Sequence, residues 1–140
     1  IFSFKGNQFD QHFYPANQSA DYQIRISRPN KSIKTDSLSS SQIIVNVFNA
    51  DPETEVYCQI DNSDRMLMMQ KRMKDPFAVD YLKNNRDQFP WWVTKVSNTS
   101  HIWIADLPVK LETGQHTVKI SAIDGKNNIF SQTKIFEVLE

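Results

Sequence analysis

The stretch LETGQHTVKISAIDG, residues 111–125, decides the fold. Across 117–122 polar and apolar side chains alternate strictly, which is typical of a β-strand with one buried face. Asp124-Gly125 then marks a tight turn, because glycine accepts positive φ without steric cost. The pattern predicts one strand of an antiparallel sheet and places His116 at its beginning.

Similar patterns recur along most of the chain. Each predicted strand is short and is bounded by residues that favour turns, such as the run DNSD at 61–64. Short strands separated by turns are typical of a β-sandwich rather than of alternating strands and helices. The predicted strands are 22–28, 43–48, 56–60, 66–70, 101–106, 116–122 and 129–138, which together make an all-β antiparallel sandwich of about seven strands.

The middle of the chain departs from the strand pattern. Asp75 followed by Pro76 predicts a short helical segment over 76–84, since Asp is a good N-cap and proline suits the first helical position. The segment 85–98 shows no regular alternation, so we expect a long connection that crosses the sandwich. The Ser- and Lys-rich stretch 30–41 is expected to be a solvated loop.

Composition limits the possible classes of function. The chain has 140 residues, with 16 Lys and Arg against 16 Asp and Glu, so its formal net charge is zero. A nucleic-acid-binding domain would carry a basic stripe, and binding to an anionic membrane would favour a basic run. The apolar runs are also far too short to span a bilayer. We therefore predict neither a nucleic-acid partner nor a membrane span.

Cysteine usage and the first residue add two expectations. Cys58 is the only cysteine, which excludes an internal disulfide and a Cys-based zinc cluster. We expect its side chain to be a small buried apolar group. The chain begins with Ile1 and shows no signal-peptide pattern, so we expect a processed protein or a piece of a longer one.

Candidate catalytic residues are scarce. Asp10-Gln11-His12 has the Asp-x-His spacing of dinuclear metal hydrolases, but the further ligands that two metals require are missing. His101 opens a predicted strand, where we expect its ring to donate to a backbone carbonyl. No Gly-x-Ser-x-Gly turn is present, and three glycines are too few for a phosphate-binding loop. We predict no catalytic residue, metal or cofactor in this chain; a small hydrolase with an unseen site is the least favoured alternative.

His116 is interpreted as a structural residue. In β-sandwiches a polar ring near the start of the penultimate strand often binds the preceding crossover loop. The ring then satisfies a loop carbonyl that would otherwise be buried without a partner. We predict this corner role for His116, with Leu111 and Gly114 in the loop that its ring binds.

Phe89, Trp91 and Trp92 lie close together in the irregular segment and suggest three roles. Large aromatic side chains dominate core energetics, so packing inside the sandwich is the favoured interpretation. An interface with another domain and a platform that binds a carbohydrate or a peptide are the alternatives. Exposure of Trp91 or Trp92 would favour these alternatives.

Several stretches of the chain together resemble one protein family. They are FSFKGN, YQIRISRP, VNVFNADPETEV, DPFAVDYL and TSHIWIADLPVKLETGQHTVKISAIDGKNNIFSQTKIFEV. In this order they resemble the C-terminal domain that follows the catalytic domain in bacterial, Bacteroides-type calcineurin-like metallophosphoesterases. The resemblance covers nearly the whole chain, which would be a single domain over residues 1–140.

The resemblance implies an immunoglobulin-like sandwich. It also implies that the metals and the phosphoesterase chemistry belong to a preceding catalytic domain of the same polypeptide. The chain itself would be non-catalytic, would pack on that domain and would support its fold. The protein would be exported, to the periplasm or the cell surface. A carbohydrate- or peptide-binding sandwich that uses exposed aromatic residues is the alternative function.

Overall fold

The fold is that of a computed structural model, which describes residues 1–11 and 13–140, the side chains at positions 10 and 11 excepted. The described chain is mostly strand, with helix α1 (Pro76–Asn84) and 3-10 turns at Thr35–Ser40 and Arg86–Gln88. The strands are β1 (Phe2–Lys5), β2 (Gln8–Gln11), β3 (Ile24–Arg28), β4 (Ser32–Lys34), β5 (Gln42–Val47), β6 (Glu55–Ile60), β7 (Met66–Leu67), β8 (Met69–Gln70), β9 (Met73–Lys74), β10 (Asn98–Thr99), β11 (Ile102–Asp106), β12 (Gly114–Ile123) and β13 (Ile129–Leu139).

Two sheets form a sandwich. The first has the strand order β3-β5-β11-β8, and the second has the order β4-β13-β12-β6-β7. Neighbouring strands are antiparallel, apart from β4, which runs parallel to β13. The pairing of β12 with β13 is the longest and runs from Gly114↔Val138 to Ile123↔Ile129. The predicted all-β sandwich is therefore confirmed.

The core lies between the two sheets and follows the alternation seen in the sequence. Along β12, Val118 and Ile120 are completely buried, whereas Lys119 between them is exposed. A shift of one residue in pairing would turn the whole apolar row of β12 towards water, so this pattern fixes the register. Cys58 is also completely buried, as expected, and burial raises the pKa of its thiol to about 11. The other buried core residues are Ile24, Ile26, Leu38, Ile43, Val45, Val47, Val56, Ile60, Met68, Trp103, Leu107, Ala122, Phe136 and Val138.

The single strand predicted over 66–70 is wrong. The chain forms β7 and β8 instead, and these pair with β6 in one sheet and with β11 in the other. Met68 lies at the change of sheet, where its side chain is buried and its N–H donates to the carbonyl of Val56. The buried Met68 therefore marks the point where the chain passes from the second sheet to the first.

The solvated loop predicted over 30–41 is also wrong. It contains β4, which extends the second sheet, followed by the 3-10 turn Thr35–Ser40. Leu38 in that turn is 2% exposed and joins the core. The pairing of β4 with β13 and the packing of Ile33 and Leu38 hold this segment against the sandwich.

The middle segment lies on the outer face of the first sheet. Helix α1 begins where expected, and the carboxylate of Asp75 accepts a hydrogen bond from the N–H of Phe77 at 2.9 Å. The predicted crossing of the sandwich over 85–98 is wrong, because β10 pairs with β9 and returns the chain to the start of the helix. The middle segment, residues 73–99, therefore begins and ends at the paired strands β9 and β10.

The hairpin of β1 and β2 is an addition to the predicted strands. Within the described residues these two strands pair with each other and with no strand of the sandwich. Gly6, with φ of 62°, lies in the turn between them, a backbone conformation that glycine adopts at no steric cost. The hairpin is therefore held by its own ladder of backbone hydrogen bonds.

Candidate functional surfaces

His116 lies where the crossover loop enters β12. Its Nε2 is 2.8 Å from the carbonyl oxygen of Glu112, and its Nδ1 is 2.7 Å from Oδ2 of Asp61. Leu111 is half-buried against the core, and Gly114 adopts a φ of 130° at the entry to the strand. The structure thus brings together the three residues of the predicted corner, and the ring binds the backbone of the loop that contains Leu111 and Gly114.

Asp61 completes this corner and was missed by sequence reasoning. Its Oδ1 accepts a hydrogen bond from the N–H of Thr117, and its own N–H donates to the carbonyl of Thr117, both at 2.8 Å. Asp61 has a φ of 50° in the predicted turn after β6. The signal that could have located it is the pairing of β6 with β12, which places Ile60 opposite Val118.

The ring of His116 is held between two acceptors. A carbonyl oxygen and a carboxylate oxygen cannot donate, so both ring nitrogens carry protons when both bonds form. The hydrogen bond that His116 donates to Asp61 is the main cause that raises the pKa of His116 above its usual 6.5. The same bond is the main cause that lowers the pKa of Asp61 below 3.8. The charged ring also lies 5.7 Å from the ring of Phe136, and we infer that it fixes the loop to the sheet.

His116→Ala is expected to lower the free energy of unfolding by about 0.5–1.5 kcal/mol near pH 6, the usual net contribution of a hydrogen bond, since Asp61 and Glu112 are exposed and water can replace the ring. A raised His pKa contributes stability that is present below pH 6.5 and is lost as the pH rises through the folded-state value. A lowered Asp pKa contributes stability above pH 3.8 that is lost on acidification. The wild type should therefore exceed the variant most between these two values, and less at pH 9, as measured by urea unfolding.

Asp61→Asn removes the main partner of His116 and should flatten the same pH dependence. Asp64→Asn is the matched control, because Asp64 is exposed in the same turn, whereas the ring of His116 binds Asp61 and Glu112. Parallel stability curves for the wild type and His116→Ala from pH 5 to pH 9 would contradict the charged corner.

The aromatic residues of the irregular segment are on the surface. Trp91 is 84% exposed and Trp92 is 65% exposed, whereas Phe89 is half-buried. The interpretation that Trp91 and Trp92 pack inside the sandwich is therefore wrong. Trp103 is the indole that packs in the core, at 3% exposed. We call Phe89, Trp91 and Trp92 the tryptophan surface.

Arg86 fixes the shape of this surface. Its guanidinium donates to the carbonyl oxygens of Trp91 at 3.0 Å and of Val93 at 2.6 Å, with a longer contact of 3.4 Å to that of Pro90. The planar fork of an arginine presents five N–H donors in a fixed geometry, so it can hold several acceptors at once. The tryptophan surface is thus formed by the chain itself, with both indoles facing solvent.

A row of rings connects the tryptophan surface to the first sheet. Phe89 packs edge-on against Tyr81 at 6.0 Å, and Tyr81 stacks on Phe77 at 6.0 Å. The guanidinium of Arg25 lies 4.1 Å from the centre of the Phe77 ring and 5.1 Å from that of Phe48. Cation–π contacts of this kind stabilise exposed sites by about 0.5–1 kcal/mol.

The remaining candidates from the sequence are His101 and the Asp-x-His stretch that ends at His12. The Nδ1 of His101 is 3.0 Å from the carbonyl oxygen of Val47, the backbone contact expected of it. The Asp-x-His candidate ends at His12, which lies outside the described residues. Elsewhere in the described chain, no group of three or more His, Cys, Asp or Glu side chains is placed to hold a metal ion. Nor does the described part contain a helix long and apolar enough to cross a membrane.

A cavity of about 830 Å³ opens at one end of the sandwich. Gln23 lines it and is 5% exposed; its side-chain amide donates to the carbonyls of Phe13 and Ala20. The Oε1 atom of Gln23 has no hydrogen-bond partner among the described residues. The aromatic lining of this cavity includes Phe9 and Phe48.

The fold and these surfaces define an all-β domain whose charged corner binds its own loop backbone. The family model for the C terminal of calcineurin-like phosphoesterase matches residues 1–130, and the chain belongs to this family. No curated protein matches the chain. Among solved structures, the crystal structure of CopC from Methylosinus trichosporium OB3b is similar, with 13% identity, 77% of this chain and 81% of that chain covered, and a TM-score of 0.39.

Proposed function

We propose that this chain is a non-catalytic C-terminal domain that packs against the calcineurin-like catalytic domain of the same polypeptide and supports its fold. The observation that carries the packing role is the exposure of Trp91 and Trp92, at 84% and 65%. Tryptophan is enriched at the centre of protein interfaces, where it is covered by a partner. Two neighbouring indoles held outward by Arg86 are therefore a surface suited to another domain.

The finer features of the proposal rest on the resemblance of the quoted sequence stretches. They are an immunoglobulin-like type of sandwich, a Bacteroides-type parent enzyme and export to the periplasm or the cell surface. The strand orders β3-β5-β11-β8 and β4-β13-β12-β6-β7 support the first, because two antiparallel sheets with connections between them are typical of that type. In this proposal the metals and the phosphoesterase chemistry belong to the preceding domain.

The full-length polypeptide provides the test. We expect the region encoded before Ile1 to contain a metal-binding catalytic domain that hydrolyses p-nitrophenyl phosphate with manganese, and the present chain alone to show no turnover. Deleting residues 1–140 should lower the melting temperature of the catalytic domain, because each domain covers apolar surface of the other. Turnover by the chain alone that His12→Ala abolishes would contradict the non-catalytic role. Unchanged melting of the two separated domains would contradict the packing role.

A carbohydrate- or peptide-binding module is the second candidate, and the same exposed indoles favour it. Rigid, outward-facing rings can stack on the faces of a sugar without ordering cost. Titration of the isolated chain with oligosaccharides would then quench or shift tryptophan fluorescence. Trp91→Ala and Trp92→Ala should abolish such a signal, while Val109→Ala, another exposed apolar site, should leave it unchanged.

A further inference from the structure

The β1–β2 hairpin carries a continuous row of exposed phenylalanines. The register places Phe4 opposite Phe9, and Phe2 is two residues from Phe4, so all three side chains lie on one face of the hairpin. The ring of Phe9 is 6.4 Å from that of Phe2 and 6.3 Å from that of Phe4. Their exposed fractions are 59%, 78% and 63% for Phe2, Phe4 and Phe9. We call these three residues the phenylalanine face.

The phenylalanine face lies on a two-stranded sheet that is separate from both sheets of the sandwich. Within the described residues, β1 and β2 pair only with each other, and a two-stranded hairpin alone is marginally stable in water. The tryptophan surface, in contrast, keeps its shape through the contacts of Arg86 with three carbonyls. A contiguous, exposed apolar face on a separate two-stranded hairpin marks a surface that a partner covers.

We propose that the phenylalanine face is the principal docking surface for the calcineurin-like catalytic domain, with the tryptophan surface as a further contact, an inference that rests on the function proposed above. In the proposed function the catalytic domain precedes this C-terminal domain in the same polypeptide, and β1 is the first strand of the domain. A partner tethered there has a high effective concentration at the neighbouring hairpin, so modest contacts suffice to hold it. The tryptophan surface belongs to a different segment, after helix α1.

A concavity beside the phenylalanine face indicates the shape that a partner would need. Phe4 and Phe9 also line a concavity of about 660 Å³ between the hairpin and the loop that carries Lys126. Polar residues of the hairpin, among them Lys5 and Asn7, line it as well. An apolar centre with a polar rim is the usual anatomy of a protein interface. The partner is therefore expected to present an apolar projection, with polar groups around it.

Hydrogen exchange of the β1–β2 amides tests the proposal in unaltered protein. In the isolated chain these amides should exchange with little protection, because the hairpin is exposed on its apolar face. In the full-length polypeptide they should exchange at least about 100-fold more slowly, since docking makes opening of the hairpin costly. The double variant Phe4→Ser/Phe9→Ser should remove both this protection and the stabilisation of the catalytic domain. Leu67→Ser is the matched control, an apolar residue 64% exposed on a strand elsewhere.

The outcomes separate this inference from the proposed function. If the two domains stabilise each other but the hairpin amides stay unprotected, docking occurs elsewhere and only the present inference fails. If the domains melt independently, the proposed packing role fails as well. Protection in the isolated chain that increases with protein concentration would assign the face to a second copy of the chain and would overturn the proposal.

Discussion

Asp75→Ala is expected to lower the free energy of unfolding by about 2–4 kcal/mol, because one buried carboxylate satisfies several donors. Asp75 is 4% exposed. Its Oδ1 accepts from the hydroxyl of Ser27 at 2.5 Å and from the N–H of Phe77 at 2.9 Å. Its Oδ2 accepts from the side-chain amide of Asn46 at 2.9 Å and lies 3.8 Å from Nη1 of Arg25.

The loss combines two separate effects. Alanine cannot cap helix α1, and removal of an N-cap oxygen costs about 1 kcal/mol. Ser27, which is 5% exposed, would also keep a buried hydroxyl without this acceptor, at a cost of roughly 1–3 kcal/mol. Because the donors come from β3 and β5, the same change loosens the middle segment, which carries the tryptophan surface, from the first sheet. Urea unfolding and a fall in melting temperature on the order of 10 °C would measure the effect.

Asp80→Ala on the same helix is the matched control. Asp80 makes a close ion pair of 2.7 Å with Arg28, but half of its side chain is exposed. Exposed ion pairs contribute about 0–1 kcal/mol, so this variant should be nearly as stable as the wild type. Equal losses for Asp75→Ala and Asp80→Ala would show that burial and helix capping at Asp75 do not determine stability.

The parts of the fold that follow local rules were predictable from the sequence. Alternation in 117–122 predicts β12, since one buried face requires a period of two. Asp75 with Pro76 predicts the start of helix α1, because capping depends on adjacent residues only. Burial of Cys58 also follows from its place in an alternating run.

The parts that depend on distant pairing were not predictable in the same way. Met68 joins two sheets, and no local pattern shows that its neighbours on either side pair with different strands. Asp61 meets His116 across 55 positions of sequence, so its role appears only when the register of β6 and β12 is known. Both are tertiary effects that a short sequence window does not contain.

The tryptophan surface shows a different limit of sequence reasoning. Burial of aromatic side chains is the favourable choice on average, and it is correct for Trp103. For Trp91 and Trp92, the contacts of Arg86 with backbone carbonyls hold the segment in a shape that leaves both indoles in solvent. The average preference for burial therefore does not tell which of the three indoles lies in the core and which two lie at the surface.

Phe136→Ala is expected to lower the free energy of unfolding by about 3–5 kcal/mol, because it leaves a cavity in the core of the sandwich. Phe136 is 1% exposed and belongs to the core formed by both sheets. It pairs with His116 across β12 and β13, and the two rings are 5.7 Å apart, so the substitution also removes one wall of the corner. A loss of this size is a large part of the 5–15 kcal/mol that is typical of a folded domain.

The neighbouring residue on the same strand provides the control for Phe136. Ile135 points to the opposite face and is 60% exposed, so Ile135→Ala should change the free energy of unfolding by about 0.5 kcal/mol or less. Phe136→Leu keeps most of the apolar volume and should fall between the two. Urea unfolding compares the losses in free energy of unfolding for Phe136→Ala and Ile135→Ala. Equal losses would contradict the fold described above, in which β13 buries Phe136 in the core and exposes Ile135.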